Sequence, residues 1–175
     1  MKHLGSRLIL LLAIIGCGLF SGCKENDPVP LEAEVKAKLL AGESGSSKSW
    51  KLVTVVGKEG TKAEQTFTLA GCEADNIYKF SNNAAQEYEE SEGATKCSAL
   101  DATVVEKGTW AFTLDGTMLV ILNTTLSSNS DAFSFSQFFP YPGQVVELSD
   151  SIMKIKMTYT FDGIVYVYNF TFNKN

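Results

Sequence analysis

Few residues of this chain have side chains able to do chemistry, because histidine is almost absent. The single histidine of the 175 residues is His3, close to the N-terminus. The rest of the chain therefore has no base for a Ser-His-Asp or Cys-His catalytic site and no histidine ligand for a metal ion. We expect neither an enzyme nor a cofactor.

A run of carboxylates is the next candidate for chemistry. It contains Glu87, Glu89, Glu90 and Glu92. A calcium loop would place Asp, Asn and Gly at regular spacing, which this run lacks, and a pair of catalytic carboxylates is the other possibility. We interpret the run as the solvated acidic face of a β-hairpin.

An aromatic segment offers a contact surface. It contains Phe133, Phe135, Phe138, Phe139 and Tyr141, with prolines at 140 and 142. These rings could form a lid over a small apolar ligand or a patch that binds a glycan or a protein. They could also be ordinary core residues. Trp110 is a further candidate for the ligand site, although core packing is the favoured role for it and for Trp50.

The N-terminus has the three parts of a secretory signal. Lys2 and Arg7 precede the apolar run Leu8–Ile15, and the small residues Ser21 and Gly22 precede Cys23. The apolar run is far shorter than the about 20 residues that a membrane-spanning helix needs. We predict a signal peptide over residues 1–22.

Leu19-Phe20-Ser21-Gly22-Cys23 resembles the lipobox of bacterial lipoproteins. The resemblance implies that Cys23 carries lipid and that acyl chains such as palmitate anchor the protein in the outer membrane. Several chains are needed, because one acyl chain binds a membrane only marginally. A rival lipobox ends at Cys17, but it would shorten the apolar run.

The charged tract after Cys23 bears on location. Lys24-Glu25-Asn26-Asp27 is similar to the surface-export signal of Bacteroidetes-type lipoproteins and predicts a domain on the cell surface. Alternatively, the tract is only a solvated spacer. The domain could then face the periplasm instead.

Cys72 and Cys97 remain as one pair once Cys17 and Cys23 are assigned. In an exported protein they are expected to form a disulfide. It would close a loop of about 25 residues and stabilise the fold by about 3–4 kcal/mol.

Charge excludes two classes of partner. The formal net charge is −5, and removal of Lys2 and Arg7 with the signal makes it more negative. Nucleic-acid binders and proteins that attract anionic lipid headgroups carry basic surfaces instead.

The periodicity of the chain predicts one short helix followed by strands only. The helix covers residues 31–41, with Leu31, Val35 and Leu39 on its apolar face. The predicted strands cover residues 50–56, 66–69, 76–80, 86–90, 104–114, 118–122, 144–148, 152–161 and 164–172. Asp115-Gly116 and Asp162-Gly163 predict tight hairpins.

These elements give three segments: the signal, a lipidated tether with the helix over residues 23–48, and an all-β domain over residues 49–175. We expect the strands to close as an antiparallel meander barrel of about eight strands, since closure removes exposed edges. A sandwich of two sheets is the alternative.

Several stretches together carry a family resemblance. They are Trp50-Lys51-Leu52-Val53, residues 72–80, residues 93–97, Gly108-Thr109-Trp110, Asp115-Gly116-Thr117 and residues 146–149. Their order resembles the lipocalin-like domain of Bacteroidetes-type lipoproteins over residues 49–172. The resemblance implies a lipid-anchored barrel, and barrels of the lipocalin type often hold one small apolar ligand.

The expected function is therefore binding of a small apolar ligand, with a glycan- or envelope-protein-binding module as the alternative. Asp150-Ser151-Ile152 also resembles an O-glycosylation motif of exported Bacteroidetes-type proteins, which marks Ser151 as a candidate acceptor. The oligomeric state stays open.

Overall fold

Strands make up most of the described protein. A computed structural model of the chain describes residues 30–99, 102–126 and 139–175. Within these ranges the helices are α1 (Glu32–Ala41) and α2 (Gly71–Ala74). The strands are β1 (Ser47–Glu59), β2 (Gln65–Phe67), β3 (Ile77–Ser81), β4 (Glu87–Ser91), β5 (Val104–Phe112), β6 (Met118–Leu126), β7 (Gly143–Leu148), β8 (Ile152–Phe161) and β9 (Ile164–Lys174). The predicted signal, Cys23, Phe133, Phe135 and Phe138 lie outside the described residues.

The strands form a closed antiparallel barrel. β1 pairs with β3, and from β3 onward each strand pairs with the next one in the chain. β9 then pairs with β1 and closes the ring. The ring therefore has eight strands, with β2 added beside the far half of β1. This confirms the predicted meander barrel with a short helix before its first strand.

The strand pairings differ in length around the ring. β8 and β9 pair from Ile152↔Asn173 to Phe161↔Ile164, whereas β6 and β7 share only Met118↔Gln144 and Leu119↔Gly143 among the described residues. We call the β6–β7 contact the short seam. It joins the first two residues of β6 to the first two residues of β7.

The two predicted Asp-Gly turns are present. Asp162 and Gly163 join β8 to β9 with φ of 48° and 76°, the left-handed conformation that tight hairpins require. Asp115 and Gly116 lie between β5 and β6, where Asp115 Oδ1 accepts hydrogen bonds from the Thr113 hydroxyl at 2.6 Å and the Thr117 amide at 3.1 Å. Local sequence therefore sets both turns.

Helix α1 covers one end of the barrel with a different face from the predicted one. Leu40 and Ala41 are fully buried, whereas Leu31 and Val35 are 53% and 40% exposed. The predicted apolar face was thus wrong at those two residues, because contact with the barrel end selects the face. The Trp50 indole N–H reaches the Leu40 carbonyl at 2.9 Å and ties helix to barrel.

The predicted disulfide is present and ties α2 to the connection that follows β4. Cys72 and Cys97 are bonded, with their Cα atoms 5.1 Å apart. The carboxylate of Asp75, just after α2, accepts a hydrogen bond from the Thr95 amide at 2.9 Å. The disulfide and this bond hold the chain close to the start of β3.

Aromatic side chains fill the centre of the barrel. The fully buried rings are Trp50, Tyr78, Phe80, Tyr88, Trp110, Phe139, Phe170 and Phe172. Core packing is confirmed for Trp50 and Trp110, and the Trp110 indole donates to the Ser81 carbonyl at 3.0 Å. No helix in the described ranges is both long and apolar enough to cross a bilayer.

Candidate functional site

A row of buried polar side chains crosses three neighbouring strands inside the barrel. The register places Tyr78 of β3 beside Glu90 of β4, and Glu90 beside Glu106 of β5. All three residues are fully buried. We call Tyr78, Glu90 and Glu106, together with Tyr88, Asn76 and Tyr141, the polar cluster. It is the most unusual feature of an interior that is otherwise apolar.

The cluster lies toward the barrel end that α1 leaves uncovered. Lys36 of α1 donates to the Gly116 carbonyl in the β5–β6 turn at 2.9 Å, and Asn82 in the β3–β4 turn donates to the Gly42 carbonyl at 2.7 Å. The helix therefore sits at the end formed by those turns. In a meander, the end of β4 and the start of β5 lie at the opposite end of the barrel, and these contain Glu90 and Glu106.

Tyrosine hydroxyls hold one oxygen of each carboxyl group. The Tyr88 hydroxyl donates to Glu90 Oε2 at 3.1 Å, and the Tyr141 hydroxyl donates to Glu106 Oε1 at 2.8 Å. Tyr88 lies two residues before Glu90, on the same face of β4. Tyr141 reaches Glu106 from the stretch that leads into β7, so the cluster joins three strands to that connection.

Three acceptor atoms of the cluster have no hydrogen-bond partner among the described residues. They are Glu90 Oε1, Glu106 Oε2 and Asn76 Oδ1. A buried polar atom without a partner costs about 1–3 kcal/mol, so native interiors contain few of them. Three such atoms in adjacent residues are a costly arrangement for a site with a purely structural role.

Burial changes the acid strength of both carboxyl groups. It raises the pKa of Glu90 well above 4.5, and the nearby Glu106 carboxyl raises it further, against the lowering effect of the Tyr88 hydroxyl, the Phe139 amide and the Asn76 amide. Burial also raises the pKa of Glu106, although the Tyr141 and Tyr88 hydroxyls act to lower it. The pair therefore retains a proton more strongly than surface carboxyl groups do.

The tyrosines of the cluster titrate in the same direction. Burial, followed by the charge of Glu90, raises the pKa of Tyr78 and of Tyr88 well above 10.0. Burial and the hydrogen bond to Glu106 raise the pKa of Tyr141 as well. These hydroxyls consequently remain protonated and act as hydrogen-bond donors.

Phe139 borders the cluster without belonging to a barrel strand. Its ring centroid lies 5.2 Å from that of Phe80, 5.3 Å from that of Phe172 and 5.9 Å from that of Tyr88. These are ordinary aromatic packing distances. The connection before β7 thus inserts a ring into the middle of the barrel.

The predicted site residues fall in different places. Trp110 and Phe139 are buried in the core, and Tyr141 is half-buried with its hydroxyl on Glu106. The described part of the aromatic segment therefore faces inward. Ser151 is exposed in the turn between β7 and β8.

The interpretation of the acidic run as a solvated face was wrong for Glu90. Glu87 is exposed, and Glu89 pairs with Lys107 at 3.3 Å on the outer surface, but Glu90 points inward. Strict alternation along β4 places Tyr88 and Glu90 on one face, so the buried tyrosine was a usable signal. Glu106 gave no such signal, because a bulge leaves both Val105 and Glu106 buried.

Other kinds of site find little support in the described ranges. No group of three His, Cys, Asp or Glu residues there is arranged to hold a metal ion. Comparison with family models and with curated proteins finds no match for this chain. Among the described residues, the polar cluster inside the barrel is therefore the candidate site.

Proposed function

We propose that the protein is a non-enzymatic ligand-binding barrel that holds a small, mainly apolar molecule at the end of the barrel lined by the polar cluster. The three acceptor atoms of the polar cluster that have no partner among the described residues carry this proposal. Apolar pockets that bind small molecules characteristically contain a few polar groups that orient the ligand. The rings of Phe80, Tyr88 and Phe172 would contact its apolar part.

Phe139 is the residue that the ligand would displace. Its ring occupies the space between Phe80 and Phe172, yet it enters from a connection and not from a paired strand. The short seam lies next to that connection. Withdrawal of Phe139 would therefore leave the ladders of the other strands intact.

Native mass spectrometry of the full chain, purified from its own host, tests the proposal. We expect an additional mass that is present in repeated preparations and disappears after extraction with organic solvent. A chain that shows only its own mass under gentle ionisation, and that gains none when apolar molecules are added, would contradict ligand binding.

We further propose that Cys23 carries the lipid that anchors the barrel to the outer membrane, with the domain facing the cell surface. The lipobox-like segment before Cys23 supports the anchor, and the charged tract after it supports the location. The periplasmic face is the other location that the same anchor would allow.

Substitution of Cys23 tests the anchor. In cells fed labelled palmitate, we expect the wild-type chain and Cys17→Ser to incorporate label and partition into membranes, because Cys17 lies in the segment that is cleaved. Cys23→Ser should lose both properties. Label that persists in Cys23→Ser and vanishes in Cys17→Ser would assign the anchor to the rival cysteine. Protease added to intact cells distinguishes the surface from the periplasmic face.

A further inference from the structure

We infer that the ligand carries a hydrogen-bond-donating cation, a protonated amine on an apolar body, which Glu90 and Glu106 bind between them. This inference rests on the proposed ligand-binding function and names the chemistry of its ligand. Three properties of the polar cluster support it: the type of atom left unpartnered, the charge around it, and the rings that surround it.

The unpartnered atoms all accept hydrogen bonds. Glu90 Oε1, Glu106 Oε2 and Asn76 Oδ1 are all oxygens, and no donor among the described residues reaches them. A ligand that compensates them has to bring donors. An ammonium group has three N–H donors and no acceptor, whereas a carboxylate or carbonyl group would add acceptors to a site that already has too many.

The charge of the site favours a cation. Glu90 and Glu106 are direct neighbours across the β4–β5 pair, where like charges destabilise a sheet. None of the ion pairs among the described residues involves either carboxyl group. A bound ammonium group would supply the opposite charge that both carboxyl groups lack.

The groups that face the carboxyl pair in the described part of the chain are acidic or phenolic. They are the hydroxyls of Tyr78, Tyr88 and Tyr141, with the Glu73 carboxylate of α2 acting on Tyr78 from further away. The lysines next in sequence turn outward, since Lys79 is exposed and Lys107 pairs with Glu89. No lysine in these strands therefore competes with a cationic ligand.

The surroundings of the pair define the rest of the ligand. The centroid of the Phe80 ring lies 5.2 Å from that of Tyr88, and the centroid of the Phe172 ring lies 5.3 Å from that of Tyr78. Aromatic faces also attract cations. A hydrated inorganic cation would gain nothing from these rings. The site therefore suits an amine with an alkyl or aryl body.

Proton balance follows from the state of the pair. When the two carboxyl groups share a proton, entry of R–NH3⁺ drives one proton from the pair to solvent, and the carboxylate so formed pairs with the ammonium group. The complex then has the same net charge as the unbound protein. Binding of the amine should therefore release protons, whereas binding of a neutral molecule of the same shape should not.

Isothermal titration calorimetry of the full chain, repeated at several pH values below and above neutrality, provides the test. The probes are 4-phenylbutylamine and 4-phenylbutan-1-ol, which share a skeleton and differ in charge. We expect the amine to bind about 10-fold more tightly, since a hydrogen bond to a charged group contributes more to affinity than a neutral hydrogen bond by about that factor. Heats measured in two buffers of different ionisation enthalpy should show proton release for the amine alone.

Variants test whether the preference for the amine over the alcohol depends on Glu90 and Glu106. Glu90→Gln and Glu106→Gln should each bring the affinity for the amine down to that for the alcohol, while Glu89→Gln, on the outer face of the same strand, keeps the preference. Equal affinity of the wild-type chain for the two probes, without proton release, would overturn the inference and leave the ligand-binding barrel standing. If neither probe binds and native mass spectrometry shows no bound mass, both the amine inference and the proposed ligand-binding function would be overturned.

Discussion

Glu90 makes the stability of the barrel depend on pH. Its side chain is fully buried, and burial raises its pKa well above 4.5 in the folded state. The folded chain therefore binds the proton more tightly than the unfolded chain does. It follows that this group contributes most to stability below pH 4.5, and that the contribution is lost as the pH rises from there through the raised pKa.

We expect Glu90→Gln to flatten this pH dependence. Glutamine has the same size and no charge, so the unfolding free energy of the variant should fall less between about pH 4 and about pH 8 than that of the wild type. Some slope should remain, because the pKa of Glu106 is raised as well. Urea titrations at several pH values in this range measure how the unfolding free energy changes with pH. Glu89→Gln should retain the wild-type slope, and a Glu90→Gln curve parallel to the wild type would contradict the assignment.

Phe139 is the second residue with a distinct expectation. Its ring is 2% exposed and contacts four other rings, so Phe139→Ala should lower the unfolding free energy by about 3–5 kcal/mol. Phe161→Ala is the matched control, because Phe161 is 63% exposed and should change stability by less than about 0.5 kcal/mol. Near-equal melting curves for the two variants would argue that Phe139 is dispensable to the core.

Among the elements, α2 depends most on a covalent bond. It is a helix of four residues without a buried side chain, and the disulfide from Cys72 to Cys97 ties it to the chain after β4. Packing alone gives so short a helix little stability. The bond therefore holds this corner of the barrel, including the start of β3, in place.

Replacement of both cysteines by serine should lower the unfolding free energy by about 2–4 kcal/mol, because the unfolded chain regains the freedom of the closed loop. Equilibrium unfolding in denaturant measures the loss. The wild type in the presence of a reducing agent is the control and should match Cys72→Ser/Cys97→Ser. A variant as stable as the oxidised wild type would show that the bond contributes nothing.

Because of the short seam, the backbone amides of β6 should not all be equally protected from hydrogen exchange. On the β7 side, pairing covers only Met118 and Leu119 among the described residues, whereas β5 pairs along most of β6. We expect amides of β6 beyond Leu119 that point toward β7 to exchange hydrogen faster than those of β9, which is paired on both sides. Hydrogen exchange followed by NMR measures this, and uniform protection along β6 would contradict it.

For the whole molecule, local patterns were enough to predict the barrel. Alternation and Asp-Gly turns are properties of neighbouring residues, so each strand was placed close to its observed bounds and both hairpins are present. The interior could not be predicted in the same way. The face of α1, the bulge beside Glu106 and the insertion of Phe139 all depend on contacts between residues far apart in the chain.

The burial of both tryptophans has an optical consequence. Trp50 and Trp110 are the two tryptophans of the chain, and neither indole is more than 1% exposed. Their fluorescence should therefore lie at the short wavelengths typical of apolar surroundings and shift to longer wavelengths on unfolding. The ring centroids of Trp110 and Phe80 lie 6.3 Å apart, and Phe80 in turn contacts Phe139. A molecule that moves Phe139 would change the emission of an indole two rings away, so the protein can report its own occupancy without an attached dye.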